Sequence, residues 1–164
     1  MILKFLKTYL EENDTFLNCP YTPLKTSRTP TKIYLEKIPT NAANNVISLH
    51  EVQSTSQRPT FWDAKNPSGI RSSNIIMYIR SKMSSDTTTT PLSDGDYDNI
   101  LQTAEALRDL IDRISMVDYS DQNGKYVINQ VRPIMNVNFD HEDAQGRNLY
   151  MVRFEATWNW NSAV

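Results

Sequence analysis

Residues 135–160 read MNVNFDHEDAQGRNLYMVRFEATWNW, two alternating runs separated by a short acidic turn. In the second run Tyr150, Val152, Phe154, Ala156 and Trp158 fall on one face, with Met151, Arg153, Glu155 and Thr157 on the other. That is the period-2 signature of a half-buried strand. The first run puts Met135, Val137 and Phe139 on one face and Asn136 and Asn138 opposite. A four-residue loop over Asp143–Gly146 lets Gly146 take the left-handed conformation that a Cβ resists. Pairing then sets Phe139 opposite Tyr150, Val137 opposite Val152 and Met135 opposite Phe154, so the large apolar residues share one face. A slip of one residue would send half of them into water, which fixes the register.

The 164 residues suit one domain, 1–164, with a sizeable core. Charged residues make up 22% and hydrophobic residues 39%, ordinary values for a globular chain. The net charge of −2 argues against a dedicated nucleic-acid binder, which carries a basic stripe. The sum conceals an asymmetry. Residues 1–90 hold 11 Lys/Arg against 7 Asp/Glu (+4), and residues 91–164 hold 6 against 12 (−6). Either the charges are spread over two solvated faces, or one subunit's basic surface meets a neighbour's acidic one, head to tail. Cys19 is the single cysteine, so no intrachain disulfide forms. No apolar run reaches membrane-spanning length. MILKFLKTYLEEN lacks the pattern of a signal peptide, because Lys4 and Lys7 interrupt it and no small-residue cleavage site follows.

Within that opening segment Ile2, Leu3, Phe5, Leu6, Tyr9 and Leu10 recur at helical spacing. It predicts an amphipathic helix laid on a sheet; a membrane-surface helix would want more basic residues on its polar face. Pro20, Pro23 and Pro30 mark extended loop. Short strands are expected at Thr31–Glu36 and Val46–Val52, the latter with Val46, Ser48, His50 and Val52 on one side. Residues 53–72, rich in Ser, Pro, Thr and Asn, are expected as a long flexible loop. Ser73–Lys82 is a strand whose two faces both carry large residues, which suits a central position. A long central helix is expected from Ser93 or Asp94 to about Ser115, on the stripe Tyr97, Ile100, Leu101, Ala104, Leu107, Ile111 and Ile114. Asn123-Gly124 marks a tight hairpin between Val117–Ser120 and Tyr126–Val131, and Pro133 interrupts before the final hairpin. The expected fold class is α+β, a mainly antiparallel sheet with an N-terminal helix and the long central helix packed on one face.

The chemistry-bearing patterns are sparse. Asp94, Asp96, Asp98 and Glu105 match the ligand spacing of an EF-hand, but Asn99 stands where that loop needs glycine and the helix stripe claims the same residues. Helix capping is the plainer account. His50 and His141 are the only histidines; His141 lies beside Glu142 and Asp143, yet no nucleophile turn accompanies it. Two histidines without further cysteines make a poor zinc site. The four glycines are ungrouped, so there is no phosphate loop. No catalytic, cofactor or metal site is expected, and no enzyme activity. Phe61-Trp62, preceded by Arg58, are favoured types for an interface anchor, though they could also pack on the core or stack on a sugar or base.

The closing hairpin resembles that of the tail-terminator proteins of long-tailed (siphovirus-like) bacteriophages, often labelled minor capsid proteins. The shared pattern is the acidic turn Asp140–Asp143, then Gly146-Arg147, Tyr150 and Phe154. The expected order of elements agrees, from opening helix to closing hairpins. The likeness covers most of the chain as architecture and about fifteen residues as motif. It implies a virion protein, assembled in the host cytoplasm, that forms a hexameric ring at the head-proximal end of the tail. Such a ring would stop tube polymerisation, meet the tail tube protein on one side and a head completion or connector protein on the other, and pass genomic DNA through its lumen without binding it specifically. Arg58, Phe61, Trp62 and Arg147 are the expected interface residues. Rival readings are another neck or tail-tube component, a small carbohydrate- or ligand-binding domain using Phe61-Trp62, and a hydrolase built on His141.

Overall fold

Alternation of apolar and polar residues over long stretches turns most of the described residues into strand. The computed structural model describes residues 1–13, 33–39, 46–57, 70–80, 104–142 and 148–161. These contain helix α1 (Ile2–Glu12), a second helix α2 over 104–112, and strands β1 (Ile33–Leu35), β2 (Val46–Gln57), β3 (Ile70–Arg80), β4 (Ser115–Asp121), β5 (Gly124–Pro133), β6 (Asn138–Glu142) and β7 (Asn148–Asn161). All seven strands join one sheet, in the order β1-β2-β3-β7-β5-β4 with β6 also on β7. Only β1 pairs with its neighbour in parallel.

β7 is the spine of this sheet. Its 14 residues pair with β3 along one edge, while β5 and β6 lie end to end along the other. Phe139 stands opposite Tyr150, as the hydrophobic pattern requires, and their rings meet edge to face at 5.9 Å. Further along, the expected register fails: Pro133, not Met135, faces Phe154. Proline ends β5 because it brings no N–H to the ladder. The next four residues shift the register by two, with Ile134 donating its N–H to the Arg153 carbonyl.

The expected α+β layout with a long central helix is not what forms. Among the described residues the fold is mostly β, a curled half-barrel sheet carrying two short helices. The apolar stripe misleads because its last member is buried without being helical. Arg113 and Ile114 close α2 with tightened bonds to Leu110 and Ile111. Ile114 then gives its carbonyl to the Val131 N–H, which draws the chain into the sheet. Ser93 to Thr103 lie outside the described residues. The loop expected over 53–72 is also corrected at both ends: Gln53–Gln57 continue β2 and pair with Ile70–Asn74 of β3. Backbone pairing carries this arm of the hairpin outward without an apolar face.

Three irregularities bend the sheet. Each inserts one residue, at Val52 in β2, Asn129 in β5 and Asp140 in β6. A bulge of this kind adds local twist and reverses the face of everything beyond it. In β2 the face that carries Ile47, Leu49 and Glu51 is therefore continued by Ser54, itself exposed, and Val52 is left exposed as well. In β5 the core-facing set changes from Tyr126 and Ile128 to Val131. Gln122 and Asn123 make the tight turn between β4 and β5, one residue earlier than the Asn-Gly pair suggests. Gly124, at φ 151°, closes it opposite Asp121.

The helices fill the concave side. Ile2, Leu3, Phe5, Leu6 and Leu10 of α1 share one buried cluster with Ala104, Leu107, Leu110 and Ile111 of α2 and with Ile75, Met77, Val152, Phe154 and Ile128 of the sheet. α1 touches β1 and β2, and its Phe5 ring also lies 5.4 Å from Tyr119 of β4, at the opposite end of the strand order. The sheet thus wraps around α1. Phe154, at the centre of β7, is the largest of the fully buried side chains in this cluster. Phe154→Ala should lower unfolding free energy by about 3–5 kcal/mol, whereas Val52→Ala, on the exposed bulge, should change it by less than about 0.5 kcal/mol. Urea titration of both variants checks the contrast.

Candidate functional site

Three polar clusters are set by which face of the curled sheet each strand position meets. The first is on the convex side. Ser48 and His50 are two apart on β2 and so share a face; the His50 Nε2 lies 2.9 Å from Ser48 Oγ. Glu36, just after β1, brings Oε2 to 3.8 Å from the other ring nitrogen, and the Tyr78 ring packs edge to face at 5.2 Å. The sequence Ser–His–Glu has the outline of a hydrolytic triad. Its geometry refuses the chemistry: Ser48 is 1% exposed, closed to any carbonyl carbon, and the His–Glu gap exceeds a hydrogen bond. Burial pushes the His50 pKa below its ordinary value, with the Glu36 charge opposing. The cluster orients an imidazole at the β1–β2 edge.

The second cluster ties three strands together on the same face. Glu155 of β7 accepts from Ser72 of β3 (3.1 Å) through one oxygen and from both Nε and Nη2 of Arg132 on β5 (3.0 and 2.7 Å) through the other. The Arg132 and Ser72 hydrogen bonds hold the Glu155 carboxyl below its usual range, against a smaller desolvation effect.

The third cluster sits on the concave side, where the apolar surface gives out toward the β2–β3 hairpin. Ser73, fully buried, donates to Glu51 Oε1 at 2.6 Å and accepts from the Trp158 indole N–H at 3.3 Å. The Arg71 guanidinium lies over the Trp158 ring, 5.1 Å from its centroid. Tyr126 packs against the same indole at 5.8 Å. An open cavity of about 430 Å³ forms here, lined by Met1, Ile2, Glu51, Ser54, Arg71, Asn123, Tyr126 and Trp158. It is a built, amphipathic recess, with a cation and an anion in fixed places.

Of the interface residues expected from sequence, Arg58, Phe61, Trp62 and Arg147 all lie outside the described residues. The same holds for Asp94, Asp96 and Asp98 of the calcium-like pattern, while Glu105 is exposed on α2. His141 pairs with Leu149 in the β6–β7 ladder. Among the described residues no group of three or more His, Cys, Asp or Glu could hold a metal ion, and no helix is long and apolar enough to cross a membrane. Sequence reasoning passed over Glu51, Arg71 and Ser73. A signal was present, since Arg71 and Ser73 share the alternating face of Ile75 and Glu51 that of Ile47 and Leu49, but the bulge at Val52 hid that Ser54 joins them.

Neither a family model nor a curated protein matches the chain. Among solved structures it is similar to a chain in the virion of a native gene transfer agent particle, with a TM-score of 0.45 and 10% identity over 77% of this chain and 78% of that one. A likeness that distant leaves the functional reading to the residues themselves.

The Glu155 clamp makes a prediction about acid stability. A carboxyl with a depressed folded-state pKa contributes stability that is present above the ordinary value of 4.5 and is lost as pH falls through the lower folded value. Glu155→Gln should cost about 1 kcal/mol or less near neutral pH, and it should flatten the decline in melting temperature below pH 4.5 relative to the parent chain. Thermal melts across that acid range test both parts.

Proposed function

We propose that this chain is a structural protein of a long-tailed bacteriophage virion, a tail terminator whose copies close into a ring, hexameric in the resembled family, at the head-proximal end of the tail. The observation that carries the reading is the closing hairpin. Asp140, Tyr150 and Phe154, three members of the resembled motif, fall on adjacent strands whose register sets Phe139 against Tyr150. Gly146 and Arg147 belong to the same motif by sequence.

The shape of the sheet is compatible with closed assembly. Its two terminal strands are unlike: β1 is a three-residue parallel strand and β4 a seven-residue antiparallel one. Contact between unlike surfaces of identical subunits is the kind that generates rings. The opposed charge of the two halves of the chain, +4 and −6, favours the same head-to-tail arrangement. In this role the ring joins the tail tube protein to the head completion protein, and the acidic half suits a lumen through which DNA must slide freely.

The test is assembly itself. Sedimentation velocity over a range of concentrations, followed by electron microscopy, should find closed rings of one size, alone or on purified tail tubes. Long rods would identify a tube subunit instead. Persistence as a monomer, with and without tubes, would remove the structural reading and return attention to ligand binding, where loss of glycan affinity in Trp62→Ala is the expected sign.

A further inference from the structure

The concave cavity holds a cation arranged to receive something. Arg71 sits over the Trp158 ring, which limits where its guanidinium can go and reduces the freedom it would lose on binding. No hydrogen-bond acceptor for that guanidinium is found among the described residues, although it lines the cavity. Other donors border the same space. Asn123 contributes an amide. α1 starts beside the cavity, at Met1 and Ile2, with no side-chain cap and no acidic residue in its first turn. Glu51 lies at the other end, held by Ser73, and uses Oε1 in that bond.

We propose that this cavity is a docking socket for an acidic side chain presented by a second copy of the chain, with Arg71 as the residue that receives the carboxylate. The proposal rests on the ring reading above and says where one subunit grips the next. A planar guanidinium binds a carboxylate through two parallel hydrogen bonds, and Glu51 Oε2, the oxygen that Ser73 does not hold, accepts a main-chain N–H of the incoming segment. Negative charge nearby limits what can enter. Glu51 lines the cavity, and the pKa of Tyr126, whose ring forms one wall, is raised first by burial and then by the Asp121 charge, with Arg71 opposing. A single carboxylate is tolerated there; a nucleic-acid strand, charged at every phosphate, is repelled. The occupant is supplied by the excess of carboxylates in residues 91–164, which carry 12 Asp/Glu against 6 Lys/Arg.

The experiment compares self-association of the full chain with that of Arg71→Met and Arg71→Lys by sedimentation velocity at low and high salt. Methionine keeps apolar packing on the Trp158 ring, and lysine keeps the charge without the fork. Melting temperature and circular dichroism confirm that the variants fold. The expected result is association weakened about tenfold or more by methionine, less by lysine, with the parent's salt sensitivity lost in the methionine variant. If the parent forms rings and Arg71→Met forms them equally well, the socket is wrong while the ring stands. If the parent never associates, with or without tail tubes, the ring reading falls and the socket with it. Binding of oligothymidylate that depends on Arg71 would overturn the proposal in favour of a nucleic-acid site.

Discussion

The packing of α1 between the two ends of one sheet is the constraint from which the rest follows. A seven-stranded sheet left open has two edges far apart and one apolar face uncovered. Here Phe5 reaches Tyr119 of β4 while the same helix rests on β1 and β2. Both ends of the strand order are thereby bound to a single 11-residue helix whose buried side is continuous with the core. α2 completes the filling, and the Tyr9 hydroxyl bridges to the Leu110 carbonyl at 3.4 Å. The bulges at Val52, Asn129 and Asp140 let the strands turn far enough for this to happen. Without them, a sheet with ordinary twist would leave α1 touching only one end.

Curling sorts polar groups by position. On the convex side, Glu155 is reached by Ser72 and Arg132 from the two strands flanking β7. On the concave side the helices stop short of the β2–β3 arm, and the space they leave is the cavity between α1 and the β4–β5 turn. Its polar wall follows from the Val52 bulge. The inserted residue shifts the alternation by one, so that Ser54 rather than Gln53 follows Glu51 on the face opposite Ser73. One inserted residue therefore contributes both to the bend of the sheet and to the composition of the recess beside it.

Much of this was legible in the amino-acid order, for physical reasons that also explain the failures. Strict alternation in β3 and β7 identifies their core faces, because a one-residue slip would expose Ile75, Met77, Val152 and Phe154 together. The facing of Phe139 and Tyr150 follows from the same logic. The long central helix was misread because burial, not helicity, sets the spacing of apolar residues: Ile114 continues the stripe while its carbonyl is already engaged with β5. The outward arm of β2 was misread for the opposite reason. Its Gln, Ser and Thr residues have no apolar face to betray them, and what holds them is the ladder to Ile70–Asn74. Bulges leave no compositional mark at all, so the recess lined by Glu51, Ser54 and Arg71 could not be assembled from sequence.

The terminal strands suggest how such a sheet avoids growing by its edges. The two non-glycine residues with positive φ among those described are Glu36 (63°) and Met116 (51°), one at the end of β1 and one in β4. At Glu36 the chain makes a tight turn in which the Lys37 N–H takes the Leu35 carbonyl, removing an acceptor from the free side of β1. At Met116 the left-handed conformation costs about 1–2 kcal/mol and interrupts β4 near its start. Both outermost strands are thus too short or too bent to template another chain, a common defence against open-ended pairing. In the ring proposed above, edges of this kind would leave the contact between copies to side chains rather than to strand pairing. Strand addition would propagate indefinitely, whereas a side chain seated in a socket fixes one angle between neighbours, and a fixed angle can close.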